Sequence, residues 1–384
     1  MIPPKVTGAL AALPRPVCAY VYDREVLRRT AAEVRAALPA GALLLYAVKA
    51  NGHPQVVAAL AEVVDGLEVA SGGELALATQ AGAATIAFGG PAKTDTELAA
   101  AVSTGTLVHA ESLLELRRLA AVAGGRPVRV ALRVNRPGAG LSGSHAMTGV
   151  PTPFGIEEAA LGEAVALVRG LPALRLVGFH LHAVSNNLDA AAHAAYVADA
   201  LDWALATARR LGVDLSYVNV GGGFGVDYTG NARFDLAALR AGLAGIALPE
   251  GVTLAFEPGR YLAAPAGWYA AEVLDLKRTH GRWFAVLRGG THHFRLPAAW
   301  GYSHPATVLA RDAWPYPFER PEVRDAVVDV TGELCTPRDV LARDLPVDRL
   351  RVGDVLVFGN TGGYGWDISH HDFLRHPYPS IAVI

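Results

Sequence analysis

The sequence predicts a closed (β/α)8 barrel over residues 24–262 followed by a mainly β domain, and two observations carry that expectation. Apolar runs of strand length alternate with helix-spaced stretches over roughly 240 residues, the size at which eight βα units close into a barrel. After Pro265 the texture changes: short β-like runs are separated by clusters of Gly, Pro and His.

In chain order, 16–22 (PVCAYVY) reads as a strand and Asp23 as the cap of a helix over 24–38 with apolar residues at helical spacing. That strand precedes the barrel and is expected in the second domain, which comprises 1–23 plus 263–384. Strand 43–48 leads to helix 54–64, and strand 66–69 to the helix that SGGEL opens. Runs at 85–88, 107–108, 128–134, 174–182, 215–220 and 253–256 continue the alternation, with helical spacing over 111–122 and 190–211. The second domain offers strands at 269–274, 283–287, 326–330 and 355–358. The Gly/Ser/Thr/Pro-rich stretch 138–153 reads as a mobile loop.

Composition narrows the function classes. A formal net charge of −2 gives no electrostatic case for nucleic acid or an anionic membrane surface. No segment holds the ~18 uninterrupted apolar residues of a membrane span. Only Cys18 and Cys335 are present, and 1–14 lacks the pattern of a secretory signal, so free thiols and a cytoplasmic location are expected.

Barrel sites collect at the C-terminal ends of strands, so the residues following each apolar run carry the functional reading. Lys49 ends LLYAVKANGHP, where Asn-Gly and Pro mark a turn. It is either a solvated charge or a desolvated amine able to attack a carbonyl. Gly221-Gly222-Gly223-Phe224-Gly225 follows VNV; its backbone N–H groups suit either a tight turn or an anion such as phosphate. Glu257-Pro258-Gly259-Arg260 follows LAF, as a salt-bridged pair or as two groups with separate tasks: a carboxylate for a protonated ring nitrogen, and a cation near a phosphate. His180 and His182, two apart on one strand, share a face and suit a metal, a stacked planar cofactor or a hydrogen-bonded barrel mouth. Cys18 reads as a small core residue, whereas Cys335, in GELCTPRD, has polar neighbours and could donate a proton. Gly362-Gly363-Tyr364-Gly365 presents a phenol, and RGGTHHFR gathers polar and cationic groups.

YAVKAN, EVASGGEL, HxH followed by Ser, GGGFG, EPGR, a late Cys and GGYG together resemble the fold-type III pyridoxal-phosphate decarboxylases, which include diaminopimelate and ornithine decarboxylases. The resemblance spans roughly residues 16–380. It implies an N-terminal TIM-type barrel, a C-terminal β domain of the alanine racemase/ornithine decarboxylase kind, pyridoxal 5′-phosphate as cofactor, and a homodimer with shared active sites. By motif, Lys49 matches the Schiff-base lysine, His182 the imidazole stacked on the cofactor ring and Glu257 the partner of its pyridine nitrogen. Ser185, Gly221, Gly222, Gly223, Gly259 and Arg260 match the phosphate cradle, and Arg133 an arginine near the cofactor. Cys335 matches the proton donor reaching the partner subunit's site, with Tyr364 the phosphate-contacting tyrosine beside it.

Two departures bear on substrate. Val184 stands where the family has the glycine of its His-x-Gly-Ser motif, and Thr336 where an acidic residue meets the substrate's distal amine. RGGTHHFRLPAAW, CTPRDVLARD and GYGWDISHHDFLRHP are most similar to the decarboxylase branch of carboxylate-siderophore pathways. That resemblance implies an amino-acid-derived substrate joined to citrate or a similar acid, such as citryl-diaminopropionate, with Arg295, His292, His293 and Thr336 as substrate-binding residues and no metal. The alternatives are a diaminopimelate or basic amino acid decarboxylase, a racemase, against which Glu257 argues, and a metal-dependent barrel hydrolase, for which further strand-end ligands are not obvious.

Overall fold

A computed structural model describes residues 2–138, 140–230 and 232–384. The chain divides into two compact units: Arg28–Val226 with Ala232–Leu262, and Met1–Leu27 with Asp227–Asn231 and Ala263–Ile384.

The first unit is the barrel. Strands Leu43–Ala47, Gly66–Val69, Ile86–Phe88, Leu107–Ala110, Val128–Asn135, Leu174–His180, Tyr217–Asn219 and Thr253–Phe256 pair in parallel in that order, and the last pairs with the first. Such closure leaves no sheet edge unpaired. Leu45, Ala87, Leu107, Ala131, Val177, Tyr217 and Ala255 form one interior cluster, so side chains from different strands fill the barrel. It is a packed core that forces chemistry to the strand ends.

Local sequence sets where each helix begins and stops. Ser71 and Ser112 accept hydrogen bonds from the N–H groups of Glu74 and Glu115, and Thr94 with Glu97 forms a reciprocal capping box. Each such cap is worth about 1 kcal/mol. Gly105, Gly124 and Gly212 close their helices in the left-handed conformation.

The second unit is a mixed sheet. Strands Ala306–Leu309, Val355–Phe358, Gly267–Thr279, Arg282–Leu287, Glu322–Thr331 and Val340–Arg351 lie side by side in that order. Cys18–Tyr22 pairs antiparallel with Gly267–Thr279 and parallel with Ser380–Val383. Sequence patterning missed the helix Pro4–Ala11, whose Val6 and Leu10 pack with Val17, Ala19, Val21, Ala270, Val355 and Val357. It is only eight residues long and includes a proline and a glycine, too short to announce itself by period. Asp227–Asn231 also belongs here, with Tyr228 packed against Trp300 and Tyr302.

Two expected elements differ in detail. The run 174–182 stops as a strand at His180, so His182 lies beyond the ladder. Within 138–153, His145–Ala146 pairs with Val184–Ser185, giving the segment a short ladder; Ala139 lies outside the described residues.

Candidate active site

Lys49 sits in the single 3-10 turn Val48–Ala50 that ends its strand, and its side chain is 42 % exposed. Its Nζ donates to Glu68 Oε2 at 2.5 Å, and the Glu68 side chain is only 5 % exposed. Burial pushes the Glu68 carboxyl above its ordinary pKa, with Lys49 pulling the other way. The pair is a charge-assisted contact at the mouth, and Glu68, in GLEVAS, is a participant that motif reading passed over. Arg133, on strand Val128–Asn135, is buried, with Nη1 donating to Glu111 Oε1 at 2.8 Å. Glu111 also accepts from the N–H groups of Gly90 (2.7 Å) and Gly155 (3.0 Å).

Glu257 follows strand Thr253–Phe256 and is buried, which a carboxylate tolerates only with partners. Asn219 Nδ2 donates to its Oε1 at 2.6 Å, and His180 Nε2 donates to its Oε2 at 3.1 Å. Asn219 is held in turn: its Nδ2 also reaches Tyr217 Oη at 2.7 Å and its Oδ1 accepts from Gly221 N at 2.8 Å. His109 packs on His180, ring centroids 4.2 Å apart, with Nδ1 3.7 Å from Glu257 Oε1. Burial is the first cause holding both His109 and His180 well below the ordinary imidazole pKa, so both are neutral. A neutral imidazole donating to a carboxylate leaves the carboxylate its negative charge. His109, Asn219 and Tyr217 stand at strand ends with no motif to mark them.

His109, His180 and Glu257 also bring possible metal-ligating atoms within 4.8 Å of one another, supplying the further ligands that the sequence did not reveal for a metal reading. Their hydrogen bonds serve the carboxylate equally well, and the neighbourhood decides between the two uses. His182 is not part of that group. Its Nδ1 accepts from Gly222 N at 3.2 Å, which places any proton of the neutral ring on Nε2. Although the residue is only half-buried, desolvation, then Arg133 and Lys49, keep its pKa well below 6.5.

The glycines are required by close approach. A Cβ on Gly221 (φ +76°) would lie 2.3 Å from His182 Nδ1, one on Gly222 2.3 Å from the Glu257 carbonyl oxygen, and one on Gly223 (φ +92°) 2.7 Å from Val184 O. Gly259 is equally confined, 2.9 Å from Ala50 Cβ. Ser185, whose carbonyl accepts from Ser144 N at 2.7 Å, has a hydroxyl with no hydrogen bond among the described residues. Arg260 opens the short helix Arg260–Ala263 and is buried. The barrel mouth thus presents an amine, a buried anion, a flat imidazole and a side-chain-free backbone loop. These are the donors a pyridoxal phosphate requires at its aldehyde, pyridine nitrogen, ring face and phosphate.

The remaining predicted residues belong to the second unit. Cys335 is exposed, Thr336 and Tyr364 are partly buried, and Tyr364 has φ +55°. His292 and His293 are fully buried, their rings 3.8 Å apart, with His292 Nε2 3.5 Å from Glu333 Oε1 and His293 Nδ1 3.4 Å from Cys18 Sγ. Neither presents a nitrogen to solvent. Arg295 and Thr336 line an open cleft of about 810 Å³ that also takes in Arg338, Arg343 and His370.

Residues 24–264 match the family model described as pyridoxal-dependent decarboxylase, pyridoxal binding domain. The chain is 40 % identical to the 2-[(L-alanin-3-ylcarbamoyl)methyl]-2-hydroxybutanedioate decarboxylase of Staphylococcus aureus, over 99 % of this chain and 97 % of that protein. It is 32 % identical to the L-glutamyl-[BtrI acyl-carrier protein] decarboxylase of Niallia circulans, over 94 % and 87 %. Among solved structures, Helicobacter pylori diaminopimelate decarboxylase complexed with L-lysine superposes with a TM-score of 0.85 at 24 % identity, covering 99 % of this chain and 94 % of that one.

Proposed function

This chain belongs to the pyridoxal-dependent decarboxylases, and from that premise we propose that it removes the carboxylate of an amino acid carried on a citrate-like acid, in carboxylate-siderophore biosynthesis or a related secondary pathway. The observation that carries the substrate reading is the 40 % identity, over almost the full length of both chains, to a decarboxylase named for a substrate with a citrate skeleton amide-linked to the 3-amino group of 2,3-diaminopropionate. Thr336 supports it: a neutral residue following Cys335 offers no charge to the distal ammonium of ornithine, lysine or diaminopimelate.

Bound pyridoxal phosphate supplies the electron sink for the bond that breaks. In this reading Lys49 would hold the cofactor covalently, the Gly221–Gly223 backbone with Ser185, Gly259 and Arg260 would hold its phosphate, and His182 would face its ring. Glu257, oriented by hydrogen bonds from Asn219 and His180, would hold a proton at the ring nitrogen. Loss of CO2 leaves Cα needing a proton, and the exposed Cys335 thiol supplies it.

Cys335 and Tyr364 would act in the site of a second copy, making the working enzyme a homodimer in the cytoplasm. The decisive experiment is to incubate the protein and pyridoxal phosphate with citryl-diaminopropionate, diaminopropionate, diaminopimelate, ornithine and lysine, scoring CO2. Release from citryl-diaminopropionate far above the others is expected. Preferential release from diaminopimelate would replace this substrate with the diaminopimelate reading.

A further inference from the structure

One concavity of the second unit gathers three arginines, of which only Arg343 has a carboxylate within ion-pair distance among the described residues. The cleft of about 810 Å³ is lined by Arg295, Arg338, Arg343 and His370, with no acidic side chain in its wall. The volume falls in the range of small-molecule sites. Among the described residues, neither the Arg295 nor the Arg338 guanidinium lies within ion-pair distance of a carboxylate, and Arg343 only reaches Asp329 at 3.9 Å. The oxygens of the buried Asp339 accept from the backbone N–H groups of Thr291 (2.6 Å) and Leu334 (2.8 Å). In a protein of net charge −2, three guanidiniums around one concavity repel one another unless an anion joins them.

We propose that this cleft is a polycarboxylate-binding subsite, with Arg338 and Arg343 as specificity-determining residues that grip the citrate-like part of the substrate and Arg295 completing the clamp. The inference rests on the proposed citrate-conjugated substrate and goes beyond it by assigning which residues select for the acid. Planar guanidiniums match carboxylates in pairs, and several carboxylates on one short skeleton match several arginines at once. Rigid backbone fixes the set. Arg338 N donates to Thr336 Oγ1 at 3.3 Å, Arg343 N to Ser303 Oγ at 2.9 Å and Arg295 N to Ser369 Oγ at 3.0 Å, so each arginine springs from a hydrogen-bonded position. Phosphate shares the anionic chemistry, but the barrel already has a backbone cradle for that group, and the spread of the arginines suits a multiply charged carboxylic acid better than one phosphate.

The test uses the cofactor-loaded enzyme and calorimetric titration with citrate, tricarballylate, succinate and inorganic phosphate, beside steady-state kinetics with citryl-diaminopropionate. Citrate and tricarballylate should bind more tightly than succinate or phosphate. Arg338→Gln and Arg343→Gln should each weaken citrate binding and raise KM for the conjugate about tenfold to a hundredfold, the loss expected for one charge-assisted contact, with kcat changed much less. Arg338→Lys should recover part of the loss, which a merely structural role would not allow. Unaltered citrate affinity in both glutamine variants, or phosphate binding as tight as citrate, would overturn the assignment. Citrate binding that depends on these arginines in an enzyme inactive on the conjugate would instead refute the substrate reading while leaving the subsite in place.

Discussion

The buried Lys93 predicts a defined loss when it is replaced by methionine. Its side chain is 1 % exposed, and Nζ donates to Glu115 Oε1 at 2.7 Å, to Gly90 O at 2.7 Å and to His109 O at 2.9 Å. Lys93→Met keeps the volume and the aliphatic stem but leaves the Glu115 carboxylate buried without its counter-charge, and two carbonyls without a donor. Removing one partner of a buried pair costs about 3–5 kcal/mol. Burial already raises the Glu115 pKa, with Lys93 opposing the rise. A raised folded-state pKa means that the carboxyl destabilises the fold above that pKa and not below the unfolded value. The penalty of Lys93→Met should therefore be larger at pH 8 than at pH 5. Glu115→Leu in the Lys93→Met background should recover most of the loss and leave about 1–2 kcal/mol for the carbonyls. Urea titrations of the cofactor-free protein followed by circular dichroism measure these differences, with the slopes checked for constancy. Because His109 O is one of the acceptors and the His109 ring supports His180 beside Glu257, the variant should also retain pyridoxal phosphate less firmly. A loss under 1 kcal/mol that does not change with pH would refute the reasoning.

Lys49→Ala should fold normally and lose the visible absorbance of the bound cofactor; a persisting borohydride-sensitive band would assign the anchor to another lysine. Gly222→Ala should keep the barrel's circular dichroism but weaken cofactor retention at least tenfold, because its Cβ would meet the Glu257 carbonyl at 2.3 Å; equilibrium dialysis reads the change. Cys335→Ala is expected to lower kcat by ~10²–10⁴-fold, and mixing it with Lys49→Ala should restore some activity if sites are shared between two copies. Among the described residues neither ring nitrogen of His193 has a hydrogen-bond partner in the aromatic pocket of Phe224 and Phe234, and burial lowers its pKa from 6.5 to about 4. Below pH 6.5 the unfolded chain binds a proton that the folded one refuses, so stability falls as pH drops toward 4; His193→Phe should flatten that slope between pH 7 and 5.

The barrel was legible because its strands are short apolar runs and most of its helices open on Ser, Thr or Asp, signals that live within a few residues of each other. Lys49, His182, Glu257 and the glycines were legible for the same reason: each closes a strand in a compact motif. Glu68, His109 and Asn219 were not, since their importance comes from the closure that carries three separate strand ends to one mouth. His180 and His182 show the limit of period-two reasoning. The strand ends between them, and they serve different neighbours. His292 and His293 show another, because a polar cluster in sequence became a buried ring pair. Arg338 and Arg343 lie on a loop and the strand that follows it, and only the fold reveals the concavity they share with Arg295.

The strand Cys18–Tyr22 has consequences for the order in which a ribosome delivers this chain. All five of its residues are buried, yet its antiparallel partner begins at Gly267, roughly 245 residues later, and its parallel partner only at Ser380. At typical elongation rates the first partner is delayed by roughly 12–50 s. Over that interval an apolar segment with two unsatisfied edges waits while the whole barrel emerges and closes behind it. The early segment is thus the chain's own aggregation hazard during synthesis, and slowing translation after residue 262 should lower the soluble yield more than slowing it before residue 16.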